Sequence, residues 1–243
     1  LISSPPTGAH TSPAKPSILV ESISQDVILV RNYEFPSNSY LVVNKAREHC
    51  LVIDPGLDND RIIEAIRTSG LSPIAILCTH GHFDHIAGVE PLKKMYGIRY
   101  FIHEFDVRLS RSANFFLHVA KINHKIEIPS PDVEFKGYHD IHEIGDFKVD
   151  VFNFPGHTPG SCILKVDDNL FTGDTIYKNG LGTENIPANQ KRVLRNSIID
   201  IFSTFTNDSI VFPGHGASDT LGSIKLNNSK IKYFLENESS PSN

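Results

Sequence analysis

The run Thr79-His80-Gly81-His82-Phe83-Asp84-His85 brings four ligand-type side chains, His80, His82, Asp84 and His85, within six residues. In an extended segment, residues two apart point to the same side, so His80 and His82 can address one ion together. Asp84 and His85, at the turn into a following helix, can address another. Imidazole nitrogen and carboxylate oxygen suit zinc and also iron or manganese, and a catalytic site must keep a position open for water. Further candidates stand in similar settings: His157 in Pro155-Gly156-His157-Thr158-Pro159-Gly160, Asp174 in Thr172-Gly173-Asp174-Thr175, and His215 in Pro213-Gly214-His215-Gly216. Each follows a strand-like run and lies among glycine or proline, which fix a tight turn and let a side chain reach inward from a strand end. The bland alternative, seven polar residues in surface turns, fits poorly because such turns are seldom this rich in metal ligands.

Such a set must be held by a scaffold. SILVESI, DVILVRN, SYLVVN and HCLVID read as strands, followed by a helix from Asp60 to Ser69 that Gly70 closes. IAILC is a buried strand feeding the histidine-rich run. Apolar positions at Ile86, Val89, Leu92 and Met95 predict a helix from Ile86 to Tyr96, ended by Gly97 before the strand IRYFIH. VEF, KVDVFNF, SCILKV and NLFTGD read as further strands, then a helix from Gln190 to Thr204 and the strand SIVFPG. Strands in two groups with interspersed helices predict a layered α/β domain. The irregular stretch from Glu104 to Pro131, with Phe115 and Phe116, reads either as a helical cover over a site or as a surface excursion.

The chain has 243 residues, of which 40% are hydrophobic, enough for one sizeable core; the expected domain spans residues 18–235. Residues 1–17, rich in Pro, Ser and Thr, read as a disordered extension or an expression remnant, and residues 236–243 as a frayed tail. A net charge of −5 gives no basic footprint for nucleic acid, and no apolar stretch reaches the roughly 18 residues of a membrane span. Neither partner is expected. Cys50, Cys78 and Cys162 lie in apolar, strand-like runs and read as buried free thiols, which fits a reducing, cytoplasmic setting.

The run THGHFDH, followed in order by His157, Asp174 and His215, resembles the ligand pattern of the metallo-β-lactamase superfamily and spans most of the chain. The resemblance implies an αββα sandwich. It also implies that His80, His82 and His157 hold one metal, that Asp84, His85 and His215 hold a second, and that Asp174 bridges them. Asp84 and Asp174 would thus be central to catalysis, and Asp54 in Val52-Ile53-Asp54-Pro55-Gly56 would orient a ligand histidine. Two divalent ions carry four positive charges, of which two carboxylates and a bridging hydroxide offset about three. A shared water lowered toward a pKa of about 7 would then attack a polarised carbonyl.

Within the superfamily, β-lactamases proper do not place a bridging aspartate at the position of Asp174. The motifs PGHTPGS, FTGDT, FPGHG and Thr220-Leu221-Gly222 instead resemble small members of the glyoxalase II group, hydrolases of hydroxyacylglutathione. This implies a small-molecule or carrier-bound acyl thioester as substrate, whose thiolate leaves without a strong general acid. Lys178 and Tyr177, in the loop after Asp174, would meet it, Lys178 through a substrate carboxylate. The chain departs from the group at Thr183, where a cation is usual, and at Ile224, where small members carry Glu. Persulfide dioxygenases, which would use one iron on His80, His157 and Asp174, and lactonases share the pattern. A binding domain without catalysis is the remaining reading.

Overall fold

The computed structural model describes residues 20–182 and 188–237. Four antiparallel strands come first: β1 (Val20–Ser24), β2 (Val27–Asn32), β3 (Ser37–Val43) and β4 (His49–Ile53). Helix α1 (Asn59–Ser69) and strand β5 (Ser72–Leu77) follow. Beyond the histidine-rich run lie α2 (Phe83–Ile86), α3 (Val89–Tyr96) and β6 (Arg99–His103). A 3-10 turn (Glu104–Asp106), α4 (Val107–Ser110) and α5 (Ala113–Val119) lead to β7 (Val133–Phe135). The second half contains β8 (His139–Ile144), β9 (Phe147–Asn153), β10 (Cys162–Val166), β11 (Asn169–Gly173) and the hairpin β12 (Ile176–Tyr177) and β13 (Gly180–Leu181). Helix α6 (Ala188–Thr204), β14 (Ile210–Pro213), β15 (Asp219–Thr220), α7 (Leu221–Asn227) and α8 (Ser229–Asn237) complete it.

Strands β1 to β7 form one sheet in sequence order, and β15-β14-β11-β10-β9-β8 form the other. Three apolar layers follow from the alternation of side chains across each strand. Leu29, Leu51, Leu77, Phe101 and Phe171 meet between the sheets. Val30, Val52 and Ile76 point the other way, onto Ile62 and Ile66 of α1 and Leu92 of α3. Ile163, Leu170 and Val211 meet Leu194 and Ile198 of α6 and Phe234 of α8. Each such aliphatic side chain, fully buried, contributes about 1.5–3 kcal/mol, so the layering accounts for why the strands pair as they do. This is the expected αββα sandwich.

The helix expected from Ile86 to Tyr96 is two pieces. Its backbone is interrupted at Ala87 and Gly88, where Gly88 N donates to Pro55 O at 2.9 Å instead of continuing α2. Val89 and Leu92 are buried, whereas Met95 is 56% exposed: positions three apart drift around a helix of 3.6 residues per turn. The stretch after Glu104 is helical only as far as Val119, anchored by Ala113 and Leu117, and residues 122–131 run to β7 without helix or strand. Strand β8 and helices α7 and α8 were not expected. HDIHEI lacks an apolar alternation because its strand lies at the sheet edge. Helix α8 continues through Glu236 and Asn237, past the expected domain end. The N-terminal extension of residues 1–17, the rest of the C-terminal tail and Thr183 lie outside the described residues. Cys50, Cys78 and Cys162 are buried free thiols, and burial pushes the Cys50 thiol up to about 12.

Candidate metal centre

Four strand ends converge on one end of the sandwich. The run from Thr79 leaves β5, His157 sits in the connection from β9 to β10, Asp174 directly follows β11, and His215 lies just past β14. Cys162 N donates to Thr79 O at 2.8 Å, joining the two sheets beside the histidines. Gly173 and Pro213 are partners in the parallel pairing of β11 with β14, which sets Asp174 and His215 side by side.

Three imidazole nitrogens face a common point. His80 Nε2 lies 3.1 Å from His82 Nδ1, which lies 3.0 Å from His157 Nε2. Ligands about 2.0–2.1 Å from a tetrahedral zinc stand roughly 3.3 Å apart, so this spacing is close to that of a coordination shell. A second group forms around His85 Nε2, which is 3.3 Å from Asp84 Oδ2, and His215 Nε2, which is 3.4 Å from the same oxygen. Asp174 spans both. Its Oδ2 is 3.6 Å from His157 Nε2 and 3.3 Å from His215 Nε2, and its Oδ1 is 3.4 Å from His85 Nε2. The seven residues expected as ligands thus lie close together, with His80, His82, His157 and Asp174 in one group and Asp84, His85 and His215 in another.

For His80, His85, His157 and His215 the surrounding oxygens decide which nitrogen the ring offers. The Thr79 hydroxyl donates to Asp54 Oδ2 at 2.6 Å, leaving its oxygen to accept from His80 Nδ1 at 3.1 Å. His85 Nδ1 donates to Asp54 Oδ2, His157 Nδ1 to Gly182 O and His215 Nδ1 to Pro36 O. With the outward Nδ1 carrying the proton, the inward Nε2 of a neutral ring presents a lone pair. His85 Nε2 and Asp174 Oδ1 are buried without a hydrogen-bond partner. A buried ring nitrogen and a buried carboxylate oxygen left without hydrogen bonds beside a second carboxylate are what a divalent ion satisfies, so the residues fit metal ions.

Charge divides the two groups. Burial, then the neighbouring histidines, hold His80 well below the usual histidine range, and burial and His157 lower His82 to about 4. These rings are neutral, ready donors. Burial opposes the ionisation of Asp84 and Asp174, but His85 and His215 overcome it and hold both carboxyls below the usual range. Conversely, burial works against charge on His215, yet bonds to Asp174 and Asp84 raise it to about 10; burial also opposes charge on His85, which the charges of Asp84, Asp174 and Asp54 raise. Without metal, histidine protons supply the positive charge that the carboxylates demand.

Residues 32–227 match the family model of the metallo-beta-lactamase superfamily. The chain belongs to the metallo-beta-lactamase superfamily. It is 28% identical over 202 residues to the hydroxyacylglutathione hydrolase GloC of Haemophilus influenzae, covering 80% of this chain and 92% of that one. Among solved structures it resembles the BLEG-1 B3 metallo-beta-lactamase, with a TM-score of 0.75 and 25% identity over 84% of this chain and 99% of the other. It also resembles TTHA1623 in a di-iron-bound form, with a TM-score of 0.70 and 28% identity over 83% and 98%. Members of the superfamily are metal-dependent hydrolases in general.

Other residues stand differently from expectation. Lys178 Nζ is 3.2 Å from Asp219 Oδ2, so its charge is already offset. Tyr177 does reach the site, its ring perpendicular to that of His215 at 5.7 Å. The Phe116 ring of α5 lies 6.1 Å from that of His82, so the helical stretch does border the histidines. Ile224, at a position where small relatives were expected to carry Glu, is 1% exposed and packs in the α6–α8 core. Asn38, not singled out in the sequence, donates through Nδ2 to Pro213 O and Gly216 O and so steadies the His215 loop. Asp106 was also missed. It is fully buried, and burial raises its pKa while Thr158, Gly160 and Gly81 donate to it and pull the other way. No local pattern marks either residue, because their partners are remote in sequence.

Proposed function

We propose that this chain is a binuclear metal-dependent hydrolase of acyl thioesters, working in the cytoplasm on a small-molecule or carrier-bound substrate. The observation that carries the hydrolase reading is Asp174, whose two oxygens face ligand nitrogens of both groups. His80, His82 and His157 would hold one ion, and Asp84, His85 and His215 the other. Bound there, the ions would lower the pKa of a shared water toward about 7 and polarise the acyl carbonyl. Zinc suits this donor set, and the di-iron relative supports iron as the alternative.

The chain's own residues bear on the substrate. Phe116 neighbours His82 and Tyr177 neighbours His215, and both would offer apolar faces to an acyl group. The likeness to GloC supports a thioester, while the pairing of Lys178 with Asp219 weakens any grip on a glutathione carboxylate. Among the described residues no helix is long and apolar enough to cross a membrane.

The test is a panel of glutathione, coenzyme A and carrier-protein thioesters, a lactone, a β-lactam and a persulfide, offered to zinc and iron forms. The highest kcat/KM on a thioester supports the reading. Oxygen uptake on the persulfide with one iron per chain, or a higher kcat/KM on the lactone or β-lactam, overturns it.

A further inference from the structure

The loops that carry His80, His82 and His157 are joined by a carboxylate that is not itself a ligand. Asp106 closes the 3-10 turn after β6 and is 0% exposed. Its Oδ2 accepts from Gly81 N at 2.8 Å, the residue between His80 and His82, and from Thr158 Oγ1 at 2.7 Å, the residue after His157. Its Oδ1 accepts from Gly160 N at 2.8 Å. These three partners are all donors, which an ionised carboxylate satisfies.

The glycines support the same reading independently. A Cβ on Gly81 would stand 2.9 Å from Asp106 O, and one on Gly160 would stand 2.6 Å from Asp106 Cγ. Both motif glycines thus lie where the backbone and side chain of Asp106 come too close for any larger residue. Neither has a left-handed φ, so contact with Asp106, not backbone conformation, explains them.

We infer that Asp106 is the positioning residue of the three-histidine site, a strut between the two loops that sets the separation of His80 and His82 from His157. The inference rests on the reading of these histidines as ligands of one ion. Asp106 also places a carboxylate behind the group formed by His80, His82, His157 and Asp174. An asparagine there would turn an amide N–H toward a backbone N–H or toward the Thr158 hydroxyl, disrupting at least one of the bonds that hold the loops together.

The test is competition of the metal-free full chain against a chromophoric chelator for Zn(II), in two backgrounds. In His215→Ala the remaining strong site is the three-histidine one; in His157→Ala it is the other. Asp106→Asn is expected to weaken Zn(II) about 10- to 100-fold in the first background and less than about 3-fold in the second. A merely structural role would weaken both alike. Equal losses in both backgrounds, or none in either, overturn the inference. If Asp106→Asn does not fold, Thr158→Val removes one of the strut's bonds and should weaken the first background alone, with Thr158→Ser restoring it; no selective loss then overturns the strut. An otherwise unaltered chain that binds no Zn(II) would instead overturn the metal reading on which the inference stands.

Discussion

Asp54 Oδ2 stands 3.1 Å from His85 Nδ1, a contact that turns the other nitrogen of that ring toward Asp84 and Asp174. The same carboxylate accepts from Thr79 N at 2.7 Å and from the Thr79 hydroxyl, which in turn holds His80. One side chain therefore orients a histidine in each group. Its backbone has a φ of 49°, a left-handed conformation that costs most side chains about 1–2 kcal/mol and that Asp and Asn tolerate best.

Asp54→Asn keeps that backbone tolerance but removes a charge and part of the acceptor capacity. The expected outcome is a fold that melts cooperatively with metal affinity lowered about 10- to 100-fold. Metal content after dialysis against graded chelator, set beside a thermal melt, checks it. Retention of both ions at parental affinity would leave Asp54 with a folding role alone.

Asp174→Asn is expected to weaken both ions and lower turnover about a hundredfold or more, because its oxygens face both groups. Lys178→Ala, which breaks a pair with Asp219 at the rim, should change KM by less than about tenfold and leave kcat near its original value. Steady-state kinetics with matched metal analyses separates the two. Similar KM-type effects from both changes would contradict the bridging role.

Ile224→Glu introduces the residue expected in small relatives, but into the core between α6, α7 and α8. Burying a carboxylate there without a partner is expected to lower stability by about 3 kcal/mol or more, while Ile224→Leu should cost less than about 1.5 kcal/mol. Urea midpoints measure both. A Glu variant as stable as its parent would place this side chain at the surface.

Asp132 ties α3 to β6, accepting from Lys93 Nζ at 2.5 Å and Tyr100 N at 2.7 Å. Burial opposes ionisation here, and those donors outweigh it, so the carboxyl is held below its ordinary value. A lowered folded pKa contributes stability above the unfolded value of about 3.9 and loses it as the pH falls through the folded one. Asp132→Asn should therefore lower the Tm at pH 7, with the difference from the parent shrinking as the pH drops below about 3.9. Melts across that range decide it; a constant difference would exclude the carboxylate as the cause.

The candidate ligands, most strands and a layered α/β arrangement were legible in the sequence, because each is written in local order, whereas the αββα sandwich and the division of the ligands between two ions were implied by the resemblance to the superfamily. His80 and His82 declare themselves by spacing and the strands by apolar alternation, and His157, Asp174 and His215 each follow a strand at a glycine-rich turn. What the tertiary structure decided depends on residues distant along the chain. Asp106 meets Gly81, Thr158 and Gly160; Asn38 meets Pro213 and Gly216; Lys178 meets Asp219 instead of standing free for substrate; and Ile224 turns into a core shared by α6, α8 and the strands of the second half. Only the closed sandwich decides which ring nitrogen of His85, His157 and His215 faces inward, since the oxygens that hold the outer one come from Asp54, Gly182 and Pro36. Ligand types follow from local sequence, but their aim is set by long-range hydrogen bonds that exist only once both sheets have packed.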